Sequence, residues 1–342
     1  MEDKTVSDLV TIIIPARTVD YLVNICIEKI RELYKTVKII LVLDDTGNCK
    51  ITDDNIIVLK SENLNISAKR NQGVKISQTK YIAMIDSDAY PDKNWLENAL
   101  SFLETNLEYS AVTGCQFNPP EDNFIQICLR KIRFNRLFTH KEWCKIINHN
   151  SQEQDSTEFM TSNVIMRKSD YENLNGMDEN IYIAEDNEFS ERLIKNGYKI
   201  RFVPNVSVFH RECTMYSFFR KIYCMGYYYA NMCIKKQPVK NLKQSIIQFL
   251  PLFGILMFCF LWMLFLYLKI NPYFLLVLPL SVIIIFFAES VKEALKLKDK
   301  KLSGFFIFFF SFCCFCAVWV IGTFLGLINF PTKNIHNLYK QY

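Results

Sequence analysis

Tyr81-Ile82-Ala83-Met84-Ile85-Asp86-Ser87-Asp88 joins an apolar run to two carboxylates placed two residues apart. A continuous apolar run of this length reads as a strand buried on both faces of a parallel sheet. Polar residues at its carboxyl end then read as a ligand-facing loop. The same pattern stands upstream. Leu9 to Ile14 runs into Pro15, Ala16, Arg17 and Thr18, and Lys38 to Leu43 runs into Asp44, Asp45, Thr46, Gly47 and Asn48. Ile56 to Leu59 is a further strand. Between these runs Leu22, Cys26, Ile30 and Leu33 recur at helical spacing, and Ser67 to Ile76 reads as a helix with Lys69, Arg70 and Asn71 near its start. Strands and helices at this rhythm predict an α/β domain on a doubly wound sheet with right-handed crossovers. Among the ten glycines there is no G-x-G and no G-x-x-x-x-G-K, which excludes a dinucleotide fingerprint and a P-loop.

Three groups of residues can carry chemistry. Asp86 and Asp88 flank a tight turn, where two hard oxygen ligands can face Mg²⁺ or Mn²⁺. Glu185 and Asp186 open a helix whose apolar face is Phe189, Leu193 and Ile194. They serve there either as complements to the helix dipole or as a general base. His210 ends the strand Val206 to Phe209, as a surface residue or as an imidazole completing a metal site. His140, His149 and His336 have no comparable setting.

The composition sets limits on the rest. Of 342 residues, half are hydrophobic and 22% charged, too apolar for a disordered chain and too charged for a channel throughout. The apolar excess falls after residue 244: no charge interrupts Lys243 to Lys269, Lys269 to Glu289, or Lys301 to Lys333. Roughly 20 apolar residues cross the hydrocarbon layer as a helix, so a wholly soluble enzyme is excluded. The net charge of +5 lies largely beside these segments, with no basic stripe interleaved with aromatics, so a membrane surface is expected as partner and nucleic acid is not. The twelve cysteines, from Cys26 and Cys49 to Cys316, show no zinc spacing and read as small reduced hydrophobes, including the Cys313 and Cys316 pair.

Three crossings are expected, at 246–268, 271–288 and 303–328, with a tail at 333–342. The second, bracketed by Lys269 and Glu289 and holding Pro279, has a re-entrant hairpin as its alternative. Met1 to Asp8 lacks an apolar signal core. Lysines cluster before the first span (Lys235, Lys236, Lys240, Lys243) and after the second (Lys292, Lys296, Lys298, Lys300, Lys301). Both observations predict a multi-pass protein of the cell membrane with its first domain in the cytoplasm. Tyr216 to Ile234 is amphipathic and is expected as a helix of an interfacial region over 214–244, or as a packed helix. Gly322 and Gly326 have the spacing at which two helices approach closely.

The order of motifs resembles the family 2 glycosyltransferases of the GT-A fold. The matching residues are Ile12-Ile13-Ile14-Pro15-Ala16-Arg17, Asp44-Asp45, Arg70-Asn71 with Gly73, Ile85-Asp86-Ser87-Asp88, Asn175-Gly176-Met177-Asp178-Glu179, Glu185-Asp186-Asn187-Glu188 and Val208-Phe209-His210. The resemblance runs over residues 9 to 212 and implies a catalytic domain at 1–213, with a Rossmann-like, mixed but mostly parallel sheet. It implies a nucleotide-diphosphate sugar donor, a UDP-sugar first, a divalent metal, Mn²⁺ or Mg²⁺, and inverting transfer of hexosyl type. Pro15, Ala16, Arg17, Asp44, Asp45 and Arg70 would line the nucleotide, and Asp86 the ribose or sugar. Asp88 and His210, with Asp86, would bind the metal; Asp186 would be the base, with Glu185 beside it. Thr161, Ser162 and Asn163 would flank the acceptor, after a segment, Asn118 to Asp155, that matches no motif.

Departures from the family pattern leave choices open. Asp45-Thr46-Gly47-Asn48 stands where Asp-Asp-Gly-Ser is common, which unsettles the base and ribose contacts. No Q-x-x-R-W follows His210. With three spans this favours one transfer to a membrane-presented, lipid-linked acceptor in glycan or polysaccharide biosynthesis. A polyprenyl-phosphate glycosyltransferase, a processive synthase, a nucleotidyl- or phosphotransferase and a catalytically inactive membrane scaffold are the alternatives.

Overall fold

Apolar runs with no alternation need cover on both faces, and Val10–Pro15, Lys38–Leu43 and Tyr81–Met84 are arranged so, while Ile56–Lys60 lies half-exposed at the sheet edge. The computed structural model describes residues 3–47, 51–139, 144–148, 150–234 and 242–328. Asn48, Cys49, His140, His149, Lys235, Lys236, Lys240, His336 and the tail 333–342 lie outside the described residues. In chain order the first elements are α1 (Asp3–Leu9), β1 (Val10–Pro15), α2 (Tyr21–Leu33), β2 (Lys38–Leu43), β3 (Ile56–Lys60) and α3 (Ile66–Ile76). Then come β4 (Tyr81–Met84), β5 (Ala89–Pro91), α4 (Trp95–Thr105), β6 (Tyr109–Thr113), β7 (Gln116–Phe117) and α5 (Phe124–Arg133). They are followed by β8 (Gln154–Ser156), β9 (Val164–Arg167), α6 (Lys168–Asn173), α7 (Glu185–Lys195), β10 (Lys199–Phe202) and β11 (Val208–His210).

Eight strands form one sheet in the order β3-β2-β1-β4-β9-β6-β10-β8, and β5-β11-β7 form a second, small one. The first four strands of the large sheet are parallel, as the apolar runs predicted. β9 enters antiparallel between β4 and β6 and makes the sheet mixed. Ile12, Ile14, Cys26, Ile30 and Trp95 bury on one face; Ile13, Val74, Ile82 and Phe189 bury on the other. α2 and α3 start where side chains cap them. Asp20 accepts from the backbone N–H groups of Leu22 and Val23, and Asn65 from that of Ser67. Gly73 lets α3 lie close on β1, because a Cβ there would sit 2.7 Å from Ile13 Cγ2.

The chain divides into two compact units, residues 1–122 with 139–211, and residues 123–138 with 212–342. The segment that matched no motif is therefore split, and its helix α5 belongs to the second unit. That unit continues with α8 (Met215–Ile234), α9 (Leu242–Tyr267), a 3₁₀ turn at Pro272–Leu276, α10 (Val277–Leu295) and α11 (Lys301–Leu327). α8 buries Phe218, Ile222, Cys224 and Ala230, and leaves Tyr216 exposed. It runs along α11 at a distance set by glycine: a Cβ would lie 2.3 Å from the Tyr223 carbonyl oxygen at Gly322 and 2.3 Å from that of Tyr227 at Gly326. The Gly322 and Gly326 spacing is thus used for close approach of two helices.

Where three crossings were expected, one described helix, Lys301–Leu327, is long and apolar enough to span a membrane. α9 is a continuous 26-residue helix with Pro251 inside it, of which Pro251–Tyr267 is apolar, and α10 carries Glu289, Lys292 and Glu293 toward its end.

Candidate active site

The loops at the carboxyl ends of β1 and β2 are tied to each other. Arg17 O accepts from the backbone N–H groups of Asp44 and Asp45, at 3.0 and 3.1 Å. Lys69 reaches up from α3, with Nζ 2.5 Å from Asp44 Oδ1 and donating to Ala16 O at 2.9 Å. Its side chain is almost fully buried, and burial draws the ammonium pKa below its ordinary value, against the opposing pull of Asp44. Pro15 and Ala16 are buried, whereas Arg17 and Asp45 are exposed, with Asp45 Oδ1 accepting from Gly47 N–H at 3.0 Å.

A second pair of loops carries the acidic turn. Ala89 N–H donates to Asp86 O at 3.0 Å, which closes the turn and sends the chain into β5. β5 pairs antiparallel with β11 so that Ala89 faces His210, and this register brings His210 Nε2 to 3.2 Å from Asp88 Oδ1. One ligand atom from each of Asp86, Asp88 and His210 lies within 4.8 Å of the others. Two carboxylate oxygens and an imidazole nitrogen at this separation fit a divalent cation. On the far side of the ring, His210 Nδ1 is 3.1 Å from Gln116 Oε1, and Gln116 in β7 is buried.

The third part is the amino end of α7. The chain enters it through Ala184 at φ +63°, and Glu185, Asp186 and Glu188 fall in the first turn. Acidic side chains are favoured at that end by the exposed N–H groups and the helix dipole. Arg70, buried to 1% exposure, joins this end to the acidic turn: Nη1 donates to Glu185 Oε1 at 2.8 Å and Nη2 to Asp86 Oδ1 at 2.9 Å. Burial alone would lower the guanidinium pKa, but Asp86 and Glu185 outweigh it and hold the group above its ordinary value. Asp186 is half-buried, and its Oδ1 accepts from Asn187 N–H at 2.8 Å.

Asn71 and Asn65 fasten the loop that leads to α7. Asn71 donates to Met177 O at 2.9 Å and accepts from Met177 N–H at 2.9 Å, holding the strand of loop beyond Gly176, which sits at φ +68°. Asn65 donates to Glu179 O and Ile181 O at 2.7 and 3.0 Å. Arg70, Asn71 and Gly73 on one helix therefore bridge carboxylates, hold a loop and allow close packing.

Of the residues expected beside the acceptor, Thr161, Ser162 and Asn163 are all buried. Asn163 donates to Cys115 O and Val206 O at 3.0 and 2.8 Å and accepts from Trp95 Nε1 at 2.8 Å, so its side chain braces the framework. Ser162 bonds to Gln116 Nε2 at 3.0 Å.

With this geometry in hand, the likeness to known proteins can be placed. Residues 11–174 match the family described as Glycosyl transferase family 2, and residues 143–217 match one described as the N-terminal domain of galactosyltransferase. The family 2 match holds Asp44, Lys69, Arg70, Asp86 and Asp88, and the second match takes in Glu185, Asp186 and His210.

Among curated relatives, an O-antigen chain rhamnosyltransferase, WbaN, of Salmonella anatum is 29% identical over 55% of this chain and 59% of its own. WfaP of Escherichia coli, a UDP-Glc:alpha-D-GlcNAc-diphosphoundecaprenol beta-1,3-glucosyltransferase, is 32% identical over 34% of this chain and 54% of its own. The chain thus spans less than two thirds of the length of these relatives. A mannosyltransferase from Pyrobaculum calidifontis, solved with GDP-Man and Mn²⁺, shares the fold with a TM-score of 0.59 at 14% identity, over 94% of this chain and 88% of that one.

Two polar residues of the α/β unit were not singled out from sequence. Lys69 looked like an ordinary cation in a helix's first turns, and its signal is that it follows Ala68 on the face α3 buries. Gln116 gave no signal, since a two-residue strand has no periodicity to read.

Proposed function

We propose that this protein is an inverting glycosyltransferase that moves a sugar from a nucleotide-diphosphate sugar to a lipid-linked acceptor presented at a membrane, in glycan biosynthesis. The observation that carries the reading is the convergence of Asp86, Asp88 and His210, with Arg70 joining Asp86 to Glu185. Pro15, Ala16, Arg17, Asp44 and Asp45 receive the nucleoside, and the acidic turn receives the diphosphate and sugar. Asp86, Asp88 and His210 would hold a divalent cation, which would supply positive charge to the departing diphosphate. The mixed oxygen and nitrogen set favours Mn²⁺ over Mg²⁺, which prefers oxygen alone.

Asp186 takes the proton of the acceptor hydroxyl as its oxygen bonds to the anomeric carbon. The bond from that carbon to the diphosphate oxygen breaks with its electron pair on the leaving group, so the anomeric configuration inverts. Arg70 holds the Glu185 carboxylate in place beside Asp186. α11 spans the membrane, α9 and α10 add two further passes, and the transferase domain faces the cytoplasm. The apolar side chains exposed on α9 and α10, such as Phe260, Met263 and Ile284, support this, and so does the diphosphoundecaprenol in the WfaP name.

The test is product analysis with detergent-purified protein, Mn²⁺, a panel of nucleotide sugars and extracted membrane lipid. One sugar added through an acid-stable bond is expected. An acid-labile phosphosugar would instead assign polyprenyl phosphate as acceptor, and a ladder would assign a polymerase.

A further inference from the structure

The Asp86, Asp88 and His210 cluster can hold a metal only if the ring is rightly protonated, because an imidazole binds a metal only through a nitrogen that carries no proton. Which nitrogen that is depends on what the other one meets. His210 turns Nε2 toward Asp88 and Nδ1 toward Gln116 Oε1, at 3.2 and 3.1 Å. A primary amide can present either its oxygen or its NH₂ to a ring, so the Gln116 amide must itself be oriented.

Its surroundings do that. Gln116 Nε2 lies 3.0 Å from Ser162 Oγ and 3.2 Å from Met160 Sδ. A thioether sulfur accepts and never donates, so it must face the NH₂ end. The amide oxygen is then left for the ring, and an oxygen accepts only, which places the ring proton on Nδ1. Gln116 is 1% exposed and Ser162 3%, so water does not compete for these bonds. The backbone supports the same arrangement: β7 pairs parallel with β11, Gln116 beside Val208, two residues before His210.

We infer that Gln116 is a positioning residue that holds His210 as the Nδ1–H tautomer and so leaves Nε2 as the metal ligand, with Ser162 and Met160 fixing the amide. Gln116 touches neither donor nor metal. The inference deepens the proposed function and rests on its metal site. It also gives Ser162 a place in the site other than the acceptor side expected from sequence.

The test uses full-length protein in detergent, labelled with ¹⁵N-histidine and compared with His210→Gln to assign one of the four histidines. In the metal-free protein the His210 nitrogen shifts report the tautomer directly, and Mn²⁺ binding is followed separately by electron paramagnetic resonance. Gln116→Met is expected to lose the Nδ1–H tautomer and weaken Mn²⁺ binding about 10- to 100-fold. Gln116→Glu, which keeps an acceptor facing the ring, is expected to retain both. A fold check by circular dichroism accompanies each variant.

Unchanged tautomer and unchanged Mn²⁺ affinity in Gln116→Met would overturn the inference while leaving the metal site standing. If the wild-type protein binds no Mn²⁺, the proposed metal site falls. The nitrogen shifts then decide the inference alone: a Nδ1–H tautomer that Gln116→Met abolishes upholds the positioning role, and any other result overturns it.

Discussion

The α/β unit and the helical unit bring their elements together by different means. In the first, polar side chains fasten the loops, beside the close packing that Gly73 allows. Arg70 spans two carboxylates, Asn71 holds a loop on both its amide atoms, and Asn163 bonds to Cys115, Val206 and Trp95. In the second, approach depends on side chains that are missing: Gly226, Gly322 and Gly326 let α8 and α11 touch backbone to side and backbone to backbone. Under the proposed function, the contrast follows from the solvent that each unit meets. A site for charged substrates needs dipoles fixed in advance. Helices with apolar surroundings gain nothing from burying more apolar surface and rely on contact distance instead. The first unit should therefore fail by leaving charges uncompensated, and the second by steric overlap.

Substitution in the first unit has the largest expected effect. Arg70→Met leaves Asp86 and Glu185 facing each other without their shared cation. Removing one partner of a buried charge network costs about 3–5 kcal/mol, so denaturant melts should show a loss of that size, together with loss of nucleotide diphosphate release. In the second unit, Gly326→Ala sets a methyl group 2.3 Å from the Tyr227 carbonyl oxygen, and overpacking of this kind costs about 1–3 kcal/mol. Melting in detergent should register that loss, while nucleotide affinity of the α/β unit stays within about twofold. A collapse of nucleotide binding in this variant would break the contrast drawn above.

Lys69→Met sharpens the comparison inside the first unit. It removes a charged hydrogen-bond donor from Asp44 and Ala16, worth about 1.5–3 kcal/mol, and donor affinity should fall roughly tenfold or more by calorimetry. In the wild-type protein the same contact should weaken as pH rises toward the lowered lysine pKa, below the ordinary 10.5, and Lys69→Met should show no such alkaline loss.

The smallest effect concerns Glu212, a buried carboxylate of the helical unit. Burial pushes its pKa up, but Arg133, Arg130 and Lys221 together hold it below the ordinary 4.5. A carboxyl with a lowered folded pKa contributes stability above its ordinary value and loses it as pH falls through the folded one. Acid melts of the wild type should therefore show a decrease below pH 4.5 that Glu212→Gln lacks.

Much of the framework was legible because it rests on long apolar runs. The strand expected over Lys38 to Leu43 is β2 residue for residue, and the helix expected over Ser67 to Ile76 is α3 with one residue added. The acidic turn, Glu185, Asp186 and His210 were legible because carboxylates and imidazole at strand and helix ends are unusual enough to notice. What was not legible is what holds them. β7 and β11 have two and three residues, too few for any pattern, yet their pairing brings Gln116 and His210 together. The antiparallel entry of β9 between β4 and β6 is likewise a tertiary choice that its four residues do not encode locally. Apolar length said less: the gaps between charges hold the helices α9, α10 and α11, and among the described residues Lys301–Leu327 is long and apolar enough to cross a membrane.

One measurement tests the central claim, that a single site built from the acidic turn, His210 and the start of α7 transfers sugar. Nucleotide diphosphate release would be followed with Mn²⁺, donor and lipid for the wild type, Asp88→Asn and Asp186→Asn, with nucleotide affinity recorded for each. The account predicts metal-dependent release by the wild type alone, with Asp88→Asn losing both release and Mn²⁺-dependent affinity, and Asp186→Asn losing release by about 10²- to 10⁴-fold while binding nucleotide as the wild type does. Undiminished release by Asp186→Asn, or release indifferent to metal, would contradict it.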